Sequence, residues 1–581
     1  VTDALLQRLR AAHNAQVGRL LGEIGPEGHW LGELSSSALS TATAVTALSA
    51  MDAGRHREPI RRGLEWLARN GNPDGGWGDT IRSRSNPSTT SLVWAAFGAA
   101  NADSRFPEGT ARAVAYLEGF AGSLQRLVPA IEELYGSDRT FSVPITMTLA
   151  LSGRLGPDGW QRVRPLPFEL AVVPRGFYGA LRLPVVSYAL PALIAIGQVI
   201  HHRSGRFNPL RNLARNQTLA VLDSLQPTNG GFLEATPLTS FVTMSLAGMD
   251  RQDHPVARRG TEFLCNSIRP DGSWPIDTNL ATWVTTLSIK ALGPTLNPAQ
   301  RQTLLRWLLG QQYQATHPYT GAAPGGWAWT DLPGGVPDAD DTAGALLALH
   351  QLDPASPETI AAAAAGCTWL FDIQNRDGGI PTFCRGWGTL PFDRSTPELT
   401  AHALRAWHAW APSLSGGFQG RIRHAFERAL LYLTREQARD GSWSPLWFGN
   451  EYAPQQENPV YGTAQVLMGL RDISPPGSQP SQVQARAIRF LEQVQSPEGG
   501  WGGNAGVPPS IEETALALSA LTGFAPAQNA VERGATWLLD QLDVSPQPKP
   551  TPIGLYFARL WYFERLYPQV FTVDALRRLT A

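Results

Sequence analysis

Apolar residues recur along the chain at spacings of three and four, in stretches of roughly ten to twenty residues separated by short Gly-rich breaks. STTSLVWAAFGAA, TTLSIKALG and IEETALALSALTGF show the spacing clearly. Each stretch predicts a helix with one apolar face, because side chains three and four apart lie on the same side of an α-helix.

The breaks resemble one another. PDGGWGDT is centred on Trp77, NGGFLEAT on Phe232, PDGSWPID on Trp274 and PGGWAWTD on Trp327; RDGGIPTF follows at Ile380, RDGSWSPL at Trp443 and PEGGWGGN at Trp501. From Phe232 onward they lie about 40 to 60 residues apart, the period of a structural repeat. Gln226, Gln374, Gln437 and Gln495 each stand shortly before one. Asp-Gly and Gly-Gly supply the positive φ that a tight turn needs. The unit is therefore helix, turn with an aromatic, second helix. The Trp ring is expected to cover the end of a neighbouring helix and give its N–H to a carbonyl. That role accounts for most of the 19 tryptophans.

Helix pairs repeated this often close into α/α toroids. The expected fold is all-α: two α/α barrel domains side by side, one of residues 25–281 and one of residues 1–24 plus 282–581. The N-terminal VTDALLQRLRAAHNAQVGRLL reads as an amphipathic helix and lacks the apolar core and cleavage site of a signal peptide.

Composition narrows the function. Charged residues are 17% of the 581, and the net charge is −1, which speaks against disorder and against an electrostatic nucleic-acid binder. Three cysteines, Cys265, Cys367 and Cys384, form no CxxC. A disulfide scaffold or a zinc ribbon is disfavoured, and a reducing compartment fits. One stretch, Leu183–Ile200, carries no charge, with Arg182 before it and His201, His202 and Arg203 after it. It reads either as a buried core helix or as a helix inserted into one membrane leaflet with the basic residues at the headgroups. Pro184 and Pro191 interrupt it, and a full span is disfavoured.

The sharpest chemical feature is VPDADDTAGALLALH. Asp338, Asp340 and Asp341 crowd just before or at the start of an Ala/Leu-rich helix. Such a cluster can be a plain helix cap. Metal binding is less suited, with no His or Glu at ligand spacing. The third reading is a strong Brønsted acid. Close like charges keep one carboxyl protonated, and a positive helix end stabilises the anion left after transfer.

DADDTA resembles the DxDDTA signature of class II terpene cyclases, the squalene–hopene cyclase group, and the Gln…DGGW turns resemble that family's QW motifs. The resemblance covers nearly the whole chain. It implies that Asp340 donates the initiating proton, that Asp338 and Asp341 tune it, and that His402, in TPELTAHALRAW, hydrogen-bonds the acid. It further implies Trp329, Trp447, Phe383, Tyr461 and Tyr556 as aromatic residues facing carbocations, since a π face steadies a cation without capturing it. The chain departs from the family at Thr43, where hopene-forming members tend to have Glu. LATWVTTLS (residues 280–288) replaces a Trp-Asp-Thr, and Ile380 replaces a turn Trp.

The expected activity is protonation of a terminal isoprenoid double bond and cyclisation of a linear polyprene such as squalene. No cofactor and no metal are expected. The alternative within the family is cyclisation of a prenyl diphosphate, as in drimenyl- or copalyl-diphosphate synthases, which would call for Mg²⁺. Outside it stand a non-catalytic lipid-binding toroid, a protein prenyltransferase β subunit with a zinc set drawn from Cys367 or Cys384, and an α/α-barrel glycosidase. Monotopic contact through Leu183–Ile200 would put the protein at the cytoplasmic face of a membrane. Leaflet-inserted relatives often dimerise, so a homodimer is allowed.

Overall fold

A computed structural model describes residues 3–136, 139–414, 416–475, 477–555 and 560–581. Helix pairs build two closed rings, and the burial pattern of each helix decides its layer. In the second ring the inner helices are Ala281–Leu292, Ala339–Leu352, Pro397–Trp410, Pro459–Asp472, Ile511–Leu521 and Tyr567–Thr580. Each packs on the next, and the last closes on the first. Asp3–Gly22, Pro298–Gly310, Pro357–Ile373, Gly417–Glu436, Gln482–Val494 and Gln528–Val544 lie outside them. Every residue of Ile511–Leu521 is buried. Beyond its first turn that helix is apolar or small all round, and its buried Glu512 and Glu513 are hydrogen-bonded to Thr551 N–H and to Asn450 and Asn458, whereas Gln482–Val494 keeps a polar outer face.

The first ring is built alike. Its inner helices are Ala38–Asp52, Pro87–Ala99, Arg139–Leu151, Val186–Ser204 and Thr236–Ala247, closing back on Ala38–Asp52. Each ring has its own hydrophobic core. This arrangement corrects one expectation. Most of Leu183–Ile200 lies in the inner helix Val186–Ser204, where Ile194 through His201 are all buried. Its missing charges reflect a place in the barrel wall rather than in lipid. Gln198, its one buried amide, donates to Arg215 O and Thr218 Oγ1 (3.0 and 2.8 Å), as a buried polar group must. Among the described residues no helix is long and apolar enough to cross a membrane.

The turns staple neighbours together by a repeated set of hydrogen bonds. The indole N–H of Trp77, Trp274, Trp443 and Trp501 reaches Leu67 O, Leu264 O, Leu433 O and Leu491 O at 2.7–2.9 Å. Each acceptor is a carbonyl in the last turn of an outer helix, where the carbonyls have no regular i+4 partner within the helix. The backbone N–H of the same Trp residues goes to a Thr hydroxyl, that of Thr90, Thr41, Thr463 and Thr514. Gln437 donates to Gly441 O at 2.9 Å and to Val483 O at 3.0 Å, joining its turn to the next outer helix. Gln226, Gln374 and Gln495 do the same in their turns. Gly441 (φ +97) is required twice over: its backbone is left-handed, and a Cβ would stand 2.5 Å from Arg486 O. At Ile380 the turn keeps only the backbone half of the staple, to Thr400 Oγ1 at 2.9 Å.

Short strands join the rings. Phe448–Gly449, Ile553–Leu555 and Leu560–Tyr562 form a three-stranded antiparallel sheet. Trp561 N–H from it donates to Asp79 of the first ring at 2.8 Å. Tyr319, Val336 and Cys384, from loops of the second half, enter the first ring's core. The junction thus gathers loops from both halves, and the acids lie there.

Candidate active site

Asp338 caps the Ala339–Leu352 helix. Its extended backbone (φ −137, ψ 170) turns the side chain back to accept from Asp341 N–H at 2.9 Å. Asp340 and Asp341 follow in the first turn, where helix N–H groups favour negative charge. Two backbone bonds fix the turn: Asp338 N–H to Trp327 O (3.0 Å) and Ala339 N–H to Thr382 O (2.8 Å). The sequence Trp327–Asp338 therefore closes on itself, and the RDGGIPTF turn docks on the acid helix.

The three acids are not equivalent. Asp338 and Asp341 are each 4% exposed, whereas the Asp340 side chain keeps 18% of its surface open. Burial pushes Asp340 up to about 7, while the charge of Lys290 pulls it down. Burial raises Asp338 to about 7 as well. Asp341 is held well above the carboxylate range by burial and by the charge of Asp338. Asp341 is therefore the protonated member of its pair with Asp338, and Asp340 is the accessible acid that titrates near neutrality.

His402 Nδ1 lies 2.6 Å from Asp340 Oδ1. Burial, then the charges of Lys290 and Arg405, hold the imidazole well below its usual value, so the ring is neutral. Lys290 Nζ stands 3.2 Å from His402 Nε2. The Trp283 ring packs edge-on to His402 at 6.3 Å, and its N–H donates to Tyr567 at 3.0 Å. Glu398, one turn before His402, is raised to about 7 by burial and receives Leu446 N–H at 3.1 Å.

The aromatic candidates divide. Trp329, Phe383 and Trp447 come together: Phe383 lies 6.3 Å from Trp329 and 5.7 Å from Trp447, both edge-on. The chain segments that carry them meet at the junction of the rings. Trp447 donates its indole N–H to the Thr382 hydroxyl. Two further rings complete the wall and were not anticipated. Phe392 stacks on Trp447 at 6.0 Å and meets Phe383 at 5.0 Å. Tyr188, from the inner helix Val186–Ser204, meets Phe383 at 5.2 Å. No repeat or motif marks Phe392 or Tyr188, so the sequence offered no signal for either. Tyr461 stands apart, against Phe448 at 4.6 Å. Burial and then the charge of Asp340 raise its phenol well above 10, so it belongs to the surroundings of the acid. Tyr556 lies outside the described residues. Thr43 gives its hydroxyl to Ser40 O of its own helix at 3.0 Å and brings no charge. Cys367 and Cys384 sit in the cores of different rings.

Two α/α rings with an enclosed carboxyl group and a wall of aromatic rings at their junction are the architecture of a class II terpene cyclase. The model of the squalene-hopene cyclase C-terminal domain matches residues 7–121 and 279–579, and the chain belongs to the squalene–hopene cyclase family. It is 26% identical over 645 residues to the squalene hopane cyclase of Aspergillus fumigatus, covering 90% of this chain and 83% of that one. It is 29% identical over 430 residues to the terpene cyclase-glycosyl transferase fusion protein of Humicola fuscoatra. That match covers 64% of this chain and 31% of the fusion, so the chain spans about a third of that relative's length. The solved structure of ent-copalyl diphosphate synthase from Streptomyces platensis shares the fold, with a TM-score of 0.59, 19% identity and coverage of 99% of each chain.

Proposed function

We propose that the protein protonates a terminal isoprenoid double bond at Asp340 and cyclises a linear polyprene such as squalene through carbocations. The observation that carries this reading is the enclosed Asp340–His402 pair, 2.6 Å apart, beside the wall formed by Trp329, Phe383 and Trp447. In the first step the O–H bond of Asp340 breaks and a C–H bond forms at the alkene terminus. The cation left on the substituted carbon is attacked by the next double bond, closing a ring. The Asp340 anion is stabilised by the His402 N–H, the helix N-terminus and the charge of Lys290. The aromatic faces steady the migrating positive charge, and the dry surroundings keep water from trapping it early. Loss of a proton or capture of water ends the sequence. The initiating step uses the carboxyl proton alone and requires no metal.

The test is incubation of detergent-solubilised protein with squalene, farnesyl diphosphate and geranylgeranyl diphosphate separately, with and without EDTA, products read by mass spectrometry. Cyclised squalene, insensitive to EDTA, is the expected result. A cyclised diphosphate blocked by EDTA would move the substrate to the prenyl diphosphates and bring in Mg²⁺. No product from any of the three would leave the acid without a role and favour a lipid carrier.

Membrane contact belongs to this proposal, at a different place from the one the sequence suggests. Exposed apolar side chains cluster beside the Val186–Ser204 helix. Phe207 (84% exposed), just before the helix Pro209–Leu225, and Leu210 and Leu213 (81%) in its first turns stand at every third position, and Leu170, Phe177, Leu181 and Trp387 are exposed as well. Trp387 N–H donates to Leu181 O, Tyr178 O–H to Leu170 O, and Arg211 pairs with Glu169, which ties the segments into one surface. Exposed Arg175, Arg182 and Arg206 flank it. An apolar patch with a basic rim suits an anionic bilayer. In flotation with anionic vesicles the wild type is expected to rise with the lipid. Phe207→Ser combined with Leu213→Ser is expected to stay in the bottom fraction. Equal flotation of the two proteins would remove the patch from the proposal.

A further inference from the structure

Only two of the 48 basic side chains in this sequence are lysines, Lys290 and Lys549. Everywhere else the chain uses arginine, which cannot give up its charge at any ordinary pH. Lys290 is also on the inner face of a barrel helix, Ala281–Leu292, whose other residues are almost all apolar or hydroxyl-bearing. Its ammonium lies 3.2 Å from His402 Nε2 and 5.6 Å from the centre of the Trp283 ring. On its other side it lines a cavity of about 340 Å³ in the hub of the second ring, together with Arg405, Gln465, Asp574 and Arg578. A continuous line of contacts therefore runs from this cavity, whose lining mixes charged and apolar side chains, through Lys290 and His402 to Asp340.

Elementary hydrogen-bond chemistry gives that line a direction. An ammonium group has donors only, so His402 Nε2 must be the acceptor. The single proton of the neutral ring then sits on Nδ1 and is donated to Asp340 Oδ1. The acid proton is left to Oδ2. Were Lys290 absent, either tautomer would serve, and a ring with its proton on Nε2 would take a hydrogen bond from the acid instead of supporting its anion.

We propose that Lys290 is a positioning residue that locks His402 in the Nδ1–H tautomer and, through it and its own charge, sets the acid strength of Asp340. This rests on the reading of Asp340 as the proton donor. The ammonium makes Asp340 a stronger acid at the cost of some loading at neutral pH. Burial and Arg405 bring Lys290 down to about 8, so the device is charged at neutrality and fades above it. The groups facing Lys290 are His402 and Arg405 from Pro397–Trp410, Asp340, Asp341 and His350 from Ala339–Leu352, Asp574, Arg577 and Arg578 from Tyr567–Thr580, and Asp472 across the hub. Asp472 and Asp574 are each paired with arginines. Asp341 is held protonated by burial and by the charge of Asp338, which leaves Asp340 as the acid whose strength Lys290 sets.

The test compares wild type, Lys290→Met and Lys290→Arg in two ways. One is the pH dependence of kcat on the accepted substrate. The other is the infrared carboxylic C=O band that Asp340→Asn removes, which reports the protonation of Asp340 without turnover. Methionine suits the buried site, and thermal melts establish that each variant is folded. In Lys290→Met, kcat is expected to fall about tenfold with KM nearly unchanged. The pH at which rate and band are lost should rise by about one unit. Lys290→Arg, which keeps the charge, should hold the wild-type pH. A folded Lys290→Met with unchanged kcat and pH profile would overturn the proposal. So would one that loses rate while the band and the pH limb stay in place, since a structural defect would do that. Failure of the wild type to turn over any polyprene would count against the function itself, and the infrared titration would still decide the part played by Lys290.

Discussion

Asp340→Asn is expected to lower product formation by at least about 10³-fold while leaving the thermal midpoint unchanged or slightly raised. The amide has the shape of the acid and can still accept the His402 Nδ1–H, so the helix start is undisturbed. It has no proton acidic enough to give to an alkene. The buried charge it removes was costly, which is why the fold does not suffer. In the wild type Asp340 is raised to about 7 by burial. The acid is loaded below that pH, and the rate should fall as pH rises through it, since the anion cannot initiate. Product analysis across pH 5–9 checks this at a fixed detergent concentration. Product from Asp340→Asn within tenfold of wild type would end the assignment of Asp340 as donor.

The second large effect is on stability. Trp501→Ala is expected to destabilise the second ring by about 3–5 kcal/mol. Trp501 is fully buried, its N–H holds Leu491 O at 2.7 Å, and its backbone holds Thr514. The ring fills the space over Gly534, where even a Cβ would come within 2.4 Å of it. Alanine would leave a cavity and an unpaired helix-end carbonyl together. Trp501→Phe, which keeps most of the volume and loses the N–H, should cost about 1–3 kcal/mol. Chemical unfolding followed by circular dichroism separates the two. Equal losses for Ala and Phe would mean that the hydrogen bond, and not the filled volume, carries the staple.

Much of this was legible in the chain because it is local and repeated. A Trp that caps a helix end needs a Gly-rich turn before it and a Thr hydroxyl for its backbone N–H, which at Trp77, Trp443 and Trp501 stands in the helix that follows; at Trp274 it is Thr41, brought round by closure of the first ring. The acid was legible for the same reason. Asp338, Asp340 and Asp341 fall within four residues at one helix start, and capping by Asp338 is a matter of three residues.

The misplacement of Leu183–Ile200 is equally instructive. An uncharged stretch records only that its side chains avoid water, and a barrel wall and a lipid leaflet impose that alike. The exposed apolar side chains Phe207, Leu210 and Leu213 stand at every third position, a spacing that by itself looks like the start of any amphipathic helix.

Sequence alone determined the helix–turn–helix repeat, the acidic cluster at a helix start and the family resemblance, since each rests on neighbours within a turn or two. Only the tertiary structure decided which acid is open, which groups flank His402 and which rings share a wall. Asp340 and His402 are 62 positions apart, His402 and Lys290 112, and Tyr188 and Phe383 195. Ring closure brings these pairs together. Their energies depend on burial and on charges from other helices, and no local pattern along a chain encodes either.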